Sequence, residues 1–262
     1  MNSTTPPVST RPHKGDARLP AQNRLIAALP AARRASLLAL CEPVDLKLSE
    51  RLFEAGEATR YVYFPVDAFI SLLAQIDEHP SLEMGMVGRE GMLGLQLILG
   101  VSRAPLGAMV QGEGRAWRLG ASAFRAELLR SLPLRLLLQR YLYVRLAQLA
   151  SAAGCLRFHQ IGPRLARWLL MSQDRAGHAQ LAVTQEFLAF MLGVRRVGVT
   201  QAAGAMQRSG LIRYHRGLLT VLDRAGLEAA ACSCYACDQR HYAAQFPALN
   251  VRRRTDSSGA RA

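Results

Sequence analysis

Residues 181–217, LAVTQEFLAFMLGVRRVGVTQAAGAMQRSGLIRYHRG, decide how the rest of the chain is read. Thr184 is placed to N-cap a helix over 185–192, its side-chain oxygen accepting backbone N–H groups that have no intrahelical partner. Phe187, Leu188, Met191 and Leu192 recur at spacings of three and four, which is one buried helical face. Gly193 falls where a tight turn between helices needs a residue tolerant of positive φ. A second helix begins near Arg195 and carries Arg196, Thr200, Gln201 and Arg208, while Val199, Ala202, Ala203 and Met206 can face inward. After Gly210, residues 211–214 and 218–222 read as two strands joined by His215-Arg216-Gly217, a hairpin with a basic tip. The pattern is a helix-turn-helix followed by a wing.

Upstream of this stretch, Gly162-Pro163 opens a helix reaching about Asp174, with Pro163 expected at its first position. Leu165, Trp168, Leu169 and Met171 can pack, and Arg164, Arg167 and Arg175 are expected to decorate its surface. Residues 124–158 are also helical, with a fresh start at Leu132-Pro133. Leu134, Leu138, Tyr141, Leu142, Leu146, Leu149 and Ala153 form an apolar stripe along them. Such a stripe suits a subunit-pairing helix, a core helix or an amphipathic helix on a membrane surface. Between Glu42 and about Phe124 the character changes to short β-type runs, at 61–64, 69–73 and 116–119, separated by glycines. That rhythm predicts an antiparallel barrel or jelly roll. Residues 23–41 read as two short helices broken at Pro30.

The expected fold class is therefore α+β, in five segments. A polar tail occupies 1–22, a β-roll 23–126, a long helix 127–158, a winged helix-turn-helix 159–240 and a second tail 241–262. The chain's Pro/Ser/Thr-rich start and its basic, polar end are expected to be disordered.

Charge points to a polyanionic partner. The 262 residues carry 33 Lys and Arg against 19 Asp and Glu, a formal net charge of +14. That favours nucleic acid first and an anionic membrane second. Between Arg130 and Arg224 there are 14 arginines and only three acids, Asp174, Glu186 and Asp223, so the excess centres on the opening stretch. Residues 1–20 lack the apolar core of a secretory signal, and no run approaches the roughly 18 apolar residues of a spanning helix. With five cysteines, an odd number, there is no secreted disulfide framework, and a cytoplasmic chain is expected.

Little in the sequence suggests an enzyme. Glu50, Glu54, Glu57, Asp67, Asp77, Glu78 and Glu83 form no recognisable acid–base pair, and no nucleophile elbow, P-loop or dinucleotide fingerprint is present. Near the end, Cys232, Cys234, Cys237 and His241 offer four sulfur and nitrogen ligands. They suit a Zn2+ site, a set of redox-reactive thiols or simply a helix that happens to carry cysteines. His159 stands at a helix junction where it can act as a hinge or a cap, and Trp117 and Trp168 read as core anchors.

A glycine-rich β-roll, a long helix and a winged helix-turn-helix in that order resemble the Crp–Fnr family of bacterial transcription regulators. The resemblance spans about residues 23–240 and is strongest from Arg164 to Glu228. In the roll it rests on Glu54-Ala55-Gly56-Glu57, Tyr63-Phe64-Pro65 and Gly88-Arg89-Glu90-Gly91-Met92-Leu93-Gly94. It implies a homodimer paired along the long helix, two recognition helices in successive major grooves of double-stranded DNA, contact with RNA polymerase and no membrane. It further implies base-edge contacts from Arg195, Arg196, Thr200 and Gln201, Arg and Gln suiting guanine and adenine edges. Thr184, Gln185, Arg208, Arg213, His215 and Arg216 would then contact the DNA backbone.

The departures from the family pattern concern what controls the protein. Cyclic-nucleotide binders of the family carry Gly-Glu for the ribose and Arg-Ser or Arg-Ala for the phosphate about ten residues on. Here Gly94 is followed by Leu95, ten residues beyond which stands Pro105, and Arg103-Ala104 lies two residues early. These four positions, Gly94, Leu95, Arg103 and Ala104, mark an effector pocket without the usual cAMP-binding residues. Cys41 is the only cysteine in the N-terminal half, which argues against the iron–sulfur cluster of oxygen-sensing members. Val197 and Gln201 occupy the family's glutamate and arginine base-reading positions, so a different target sequence is expected. A small-molecule sensor or protein-interaction module with a vestigial helix-turn-helix is the alternative.

Overall fold

The computed structural model describes residues 23–77 and 81–247. Glu78 and the tails expected over 1–22 and after 247 lie outside the described residues. Asn23 opens the described chain, fully buried. Its side-chain oxygen accepts from the backbone of Leu25 and Ile26 and so caps α1 (Arg24–Ala28), while its amide donates to Pro65 O at 3.0 Å and Gly91 O at 2.7 Å. Pro30 separates α1 from α2 (Ala31–Ala39), as the sequence predicts.

Seven strands follow: β1 (Glu42–Leu46), β2 (Arg51–Phe53), β3 (Tyr61–Pro65), β4 (Phe69–Ala74), β5 (Leu82–Val87), β6 (Gly107–Gly112) and β7 (Gly114–Gly120). They pair antiparallel in two sheets, β1-β7-β3 and β2-β6-β4-β5. Leu46, Tyr63, Ile70, Val110 and Ala116 come from both sheets and share one buried cluster. The predicted roll is present, and all three runs read as strands are strands.

From β7 the chain enters α3 (Ala121–Arg130) and then α4 (Leu132–Phe158), a 27-residue helix capped by the Ser131 side chain. At about 1.5 Å per residue α4 is ~40 Å long. Its apolar stripe divides. Leu134, Leu138 and Tyr141 bury beneath the roll with Val62, Phe64 and Met92, whereas Leu146 and Ala153 stay exposed. Tyr141 comes so close to the loop after β5 that a Cβ at Gly91 would meet its hydroxyl at 1.8 Å; only glycine fits there.

The C-terminal unit comprises α5 (Ile161–Ala176), β8 (Gln180–Ala182), α6 (Gln185–Leu192), α7 (Arg196–Arg208), β9 (Ile212–His215), β10 (Leu218–Val221), α8 (Arg224–Ala230) and α9 (Cys234–Gln245). Four features differ from the sequence reading. Helix α5 starts at Ile161, which puts Pro163 at the third position, still inside the turn whose N–H groups lack intrahelical partners. The wing gains a third strand, giving the order β8-β10-β9. The cysteine-bearing segment and the start of the expected tail at 241 form α9, and Tyr242 and Phe246 are buried with α4 and the roll. The arginines of α5 are not surface decoration either. Arg164 is buried, Arg167 pairs with Asp238 at 2.7 Å and Arg175 with Glu90 at 2.7 Å. Each acts as a cross-link between elements, because a guanidinium can be buried only where acceptors meet it.

The largest buried cluster joins the two halves. Phe69, Leu73 and Met86 of the roll share it with Leu165, Leu169, Leu188, Val199 and Leu219 of the C-terminal unit. Among the described residues no helix is long and apolar enough to cross a membrane.

Candidate nucleic-acid interface

Thr184 caps α6 as predicted, its Oγ1 accepting from Phe187 N at 3.1 Å. Leu188, Met191 and Leu192 are buried and Phe187 half-buried, while Gly193 ends the helix in the left-handed region at φ 61°. The turn is supported from behind. Arg164 on α5 donates from Nη2 to the Leu192 carbonyl, satisfying one of the last acceptors of α6 with a positive charge where the helix dipole favours it. Burial depresses the Arg164 pKa, and the hydrogen bond compensates part of that cost. Arg164 is buried where the sequence predicts a solvated arginine, and its i,i+4 relation to the buried Trp168 is the local sign of it.

Arg195 N-caps α7 in an extended conformation and Arg196 is its first residue. Val199, Ala203 and Met206 are buried against α5 and α6, and Ala202 is half-buried. The opposite face presents Arg196, Val197, Thr200, Gln201 and Arg208 to solvent. Thr200 Oγ1 donates to Gln185 Oε1 at 2.7 Å, linking the two helices across the turn. Glu186 lies 4.0 Å from Arg196, but both side chains are more than two-thirds exposed, so this pair is screened and leaves the arginine available.

The wing lies beside α7. His215 pairs with Leu218, and Arg216 takes φ 48° at the hairpin tip. Gln207 Oε1 accepts from Tyr214 N at 2.9 Å and Tyr214 Oη donates to Val183 O at 2.8 Å, fixing the wing to α7 and to the entry of α6. Burial raises the Tyr214 pKa against the lowering influence of Arg196. Arg213, His215 and Arg216 are exposed. The ten residues predicted to meet DNA thus come together on α6, α7 and the wing; all are exposed except Gln185, which is half-buried.

The other two predicted groups divide. In the roll, Gly94 and Ala104 are buried and Leu95 half-buried, whereas Arg103 is exposed and donates to Gly56 O at 2.7 Å. Of the four candidate metal ligands, Cys237 and His241 form an i,i+4 pair on α9, 4.0 Å apart. Cys232 and Cys234 instead meet Cys155 and His159 at the end of α4. His159 is the C-cap of α4, the capping role read from sequence, and Trp168 is buried as expected while Trp117 is half-buried.

The profile described as the Crp-like helix-turn-helix domain matches residues 163–230, which run from α5 to the end of α8. No curated protein sequence matches the chain. Solved structures extend the likeness beyond the matched residues 163–230 to about three quarters of the chain. FixK2 from Bradyrhizobium japonicum superposes with a TM-score of 0.63 at 14% identity, covering 74% of this chain and 98% of that one. A putative transcriptional regulator of the crp/fnr family from Eubacterium rectale gives 0.60 at 18%, with 79% and 96% covered. The c-di-GMP responsive global regulator CLP of Xanthomonas campestris gives 0.61 at 17%, with 74% and 100% covered. At these identities the shared property is the fold.

Proposed function

We infer that the protein is a dimeric, sequence-specific DNA-binding transcription regulator of the Crp–Fnr type, with double-stranded DNA and RNA polymerase as its partners. The observation that carries this reading is the basic, solvent-facing surface formed by the first turn of α7 and the wing, behind which α5 and α6 are rigidly packed. A recognition helix needs its N-terminal side chains free to reach base edges, with flanking groups to engage phosphates. Arg195, Arg196, Thr200 and Gln201 take the first role. Thr184, Gln185, Arg208, Arg213, His215 and Arg216 take the second.

Pairing is supported by a second face of α4. Leu132, Leu136, Gln139, Tyr143, Leu146, Ala150, Ala153 and Arg157 are all exposed and alternate at spacings of four and three. That is the 3.5-residue repeat of a two-stranded coiled coil, distinct from the face that Leu134, Leu138 and Tyr141 bury under the roll.

The effector is not cAMP in this reading. Leu95 brings no carboxylate for a ribose, and the Arg103 guanidinium is engaged by the Gly56 carbonyl. Selection of bound sites from random DNA, followed by electrophoretic mobility at increasing salt, tests the proposal. A two-fold symmetric site and a steep loss of affinity with salt are expected; no enrichment, or a flat salt response, would overturn it.

A further inference from the structure

Two cysteines and a histidine that the proposed function does not use converge with a third cysteine. Cys155 lies on the last turn of α4 and His159, four residues on, is its C-cap. Cys232 and Cys234 flank the entry to α9, 77 residues beyond Cys155. The Sγ atoms of Cys155 and Cys232 are 3.5 Å apart, and Cys234 Sγ lies 3.5 Å from His159 Nδ1. All four ligand atoms fall within 4.8 Å of one another.

We propose that Cys155, His159, Cys232 and Cys234 form a structural Zn2+ site that fastens the end of α4 to the start of α9. Tetrahedral zinc with Zn–S bonds of about 2.3 Å separates its sulfurs by about 3.8 Å; the two 3.5 Å pairs lie within a few tenths of an ångström of such spacings, and the widest separation, up to 4.8 Å, closes around one ion with a side-chain shift of about 1 Å. Three thiolates and an imidazole are a zinc donor set, and four protein ligands leave no open position, which marks a structural rather than a catalytic site. An iron–sulfur cluster distributes its ligands over several irons and needs a wider cage.

The surroundings fit the charge of such a centre. Zn2+ with three thiolates is net negative, and Arg164 and Arg167 line the same small cavity of about 50 Å3 as Cys155. The backbone holds the ligand loop in place, since Cys232 N donates to Pro163 O at 3.2 Å and Tyr235 N to Cys232 O at 3.1 Å. The site joins three elements: α4, the entry of α5 and α9. Zinc there couples the coiled-coil face to the unit that carries the recognition helix.

The test uses the full chain purified under reducing conditions with zinc in the medium. Elemental analysis after gel filtration should find one zinc per chain. Reconstitution of metal-stripped protein with Co2+ should give the intense visible bands of tetrahedral thiolate coordination. C155S, C232S and H159A should lose the metal, while C237S and H241A keep it. If C155S does not fold, the Co2+ spectrum of the unmodified chain still decides. Absence of stoichiometric zinc together with no tetrahedral Co2+ spectrum would overturn the site. So would metal loss in C237S and H241A but not H159A, iron with inorganic sulfide in place of zinc, or a Cys155–Cys232 disulfide whose reduction restores no metal binding.

Discussion

Arg175 of α5 and Glu90 of the roll form a 2.7 Å ion pair whose side chains are only 9% and 17% exposed. It lies where the loop after β5 meets the C-terminal unit. Tyr242 of α9 donates to the Glu90 carbonyl at 3.0 Å on the same loop. Removing one partner strands the other in a dry site, which costs about 3–5 kcal/mol. E90A and R175A should therefore lower the unfolding midpoint strongly at neutral pH. Burial works to raise the Glu90 pKa, but the Arg175 charge, helped by the Gly88 backbone N–H and by Arg145, holds it below the ordinary carboxylate value. A depressed folded-state pKa contributes stability above the unfolded value, about 4.3, that is lost as pH falls through the lower folded one. Thermal melts from pH 7 to pH 3 should show the loss in the unmodified protein and a flatter acid limb in E90A. Parallel curves would contradict the pairing.

Glu83 on β5 behaves in the opposite sense. Partial burial pushes its pKa up to about 7, although Ser71 Oγ donates to it at 2.6 Å and Arg175 and Arg167 pull the other way. A raised carboxylate pKa favours the protonated fold, so stability is highest below the ordinary value and falls as pH rises through about 7. Glutamine keeps an acceptor for Ser71 and carries no charge. E83Q should be more stable than the unmodified protein by about 1–3 kcal/mol at pH 8, with the gap closing toward pH 5. Denaturant melts at both pH values measure it, and a gap independent of pH would exclude the buried carboxylate as its source.

How much of this was legible depends on the range of the interactions. Helix α6, the turn at Gly193, α7 and the wing hairpin follow from caps, glycine and 3.6-residue periodicity, which are local signals, and they appear where the sequence places them. The arginines of α5 carry little local sign of burial, because Arg164 meets Leu192 and Arg167 meets Asp238 only after the chain has closed on itself. The same holds for the cysteines. Spacing along the chain suggested Cys237 and His241, whereas the fold brings Cys155 and His159 to Cys232 and Cys234 from 77 residues away. Even α4 carries two apolar faces at once, and a single stripe read from sequence mixed residues of both.

In the proposed interface Arg196 reads a base and Arg213 holds the backbone, and the two roles are separable. Arg196 is the first residue of α7 and exposed, and Arg213 is exposed on β9. R196A should cost about 1–3 kcal/mol on the selected site and relax the preference at one base pair. R213A should weaken all sequences alike and reduce the slope of log affinity against log salt by about 1. Competition binding with single-base variants of the site distinguishes them. Equal weakening by R196A on every sequence would remove its base-reading role.

The proposed pairing face of α4 can be changed without disturbing the core beneath it. Leu146 is 58% exposed and Tyr143 55% exposed in the single chain, so charging them places the charge in solvent and leaves the buried core of the monomer intact. Leu138 on the opposite face is fully buried. L146E with Y143E should give a folded monomer by light scattering, with an unfolding midpoint no longer dependent on protein concentration. Its affinity for a two-half-site DNA should fall toward that for a single half-site, because the second contact no longer profits from the first. L138E should fail to fold at all. A double variant that stays dimeric would move the subunit interface off α4, and with it the two-fold presentation of the recognition helices.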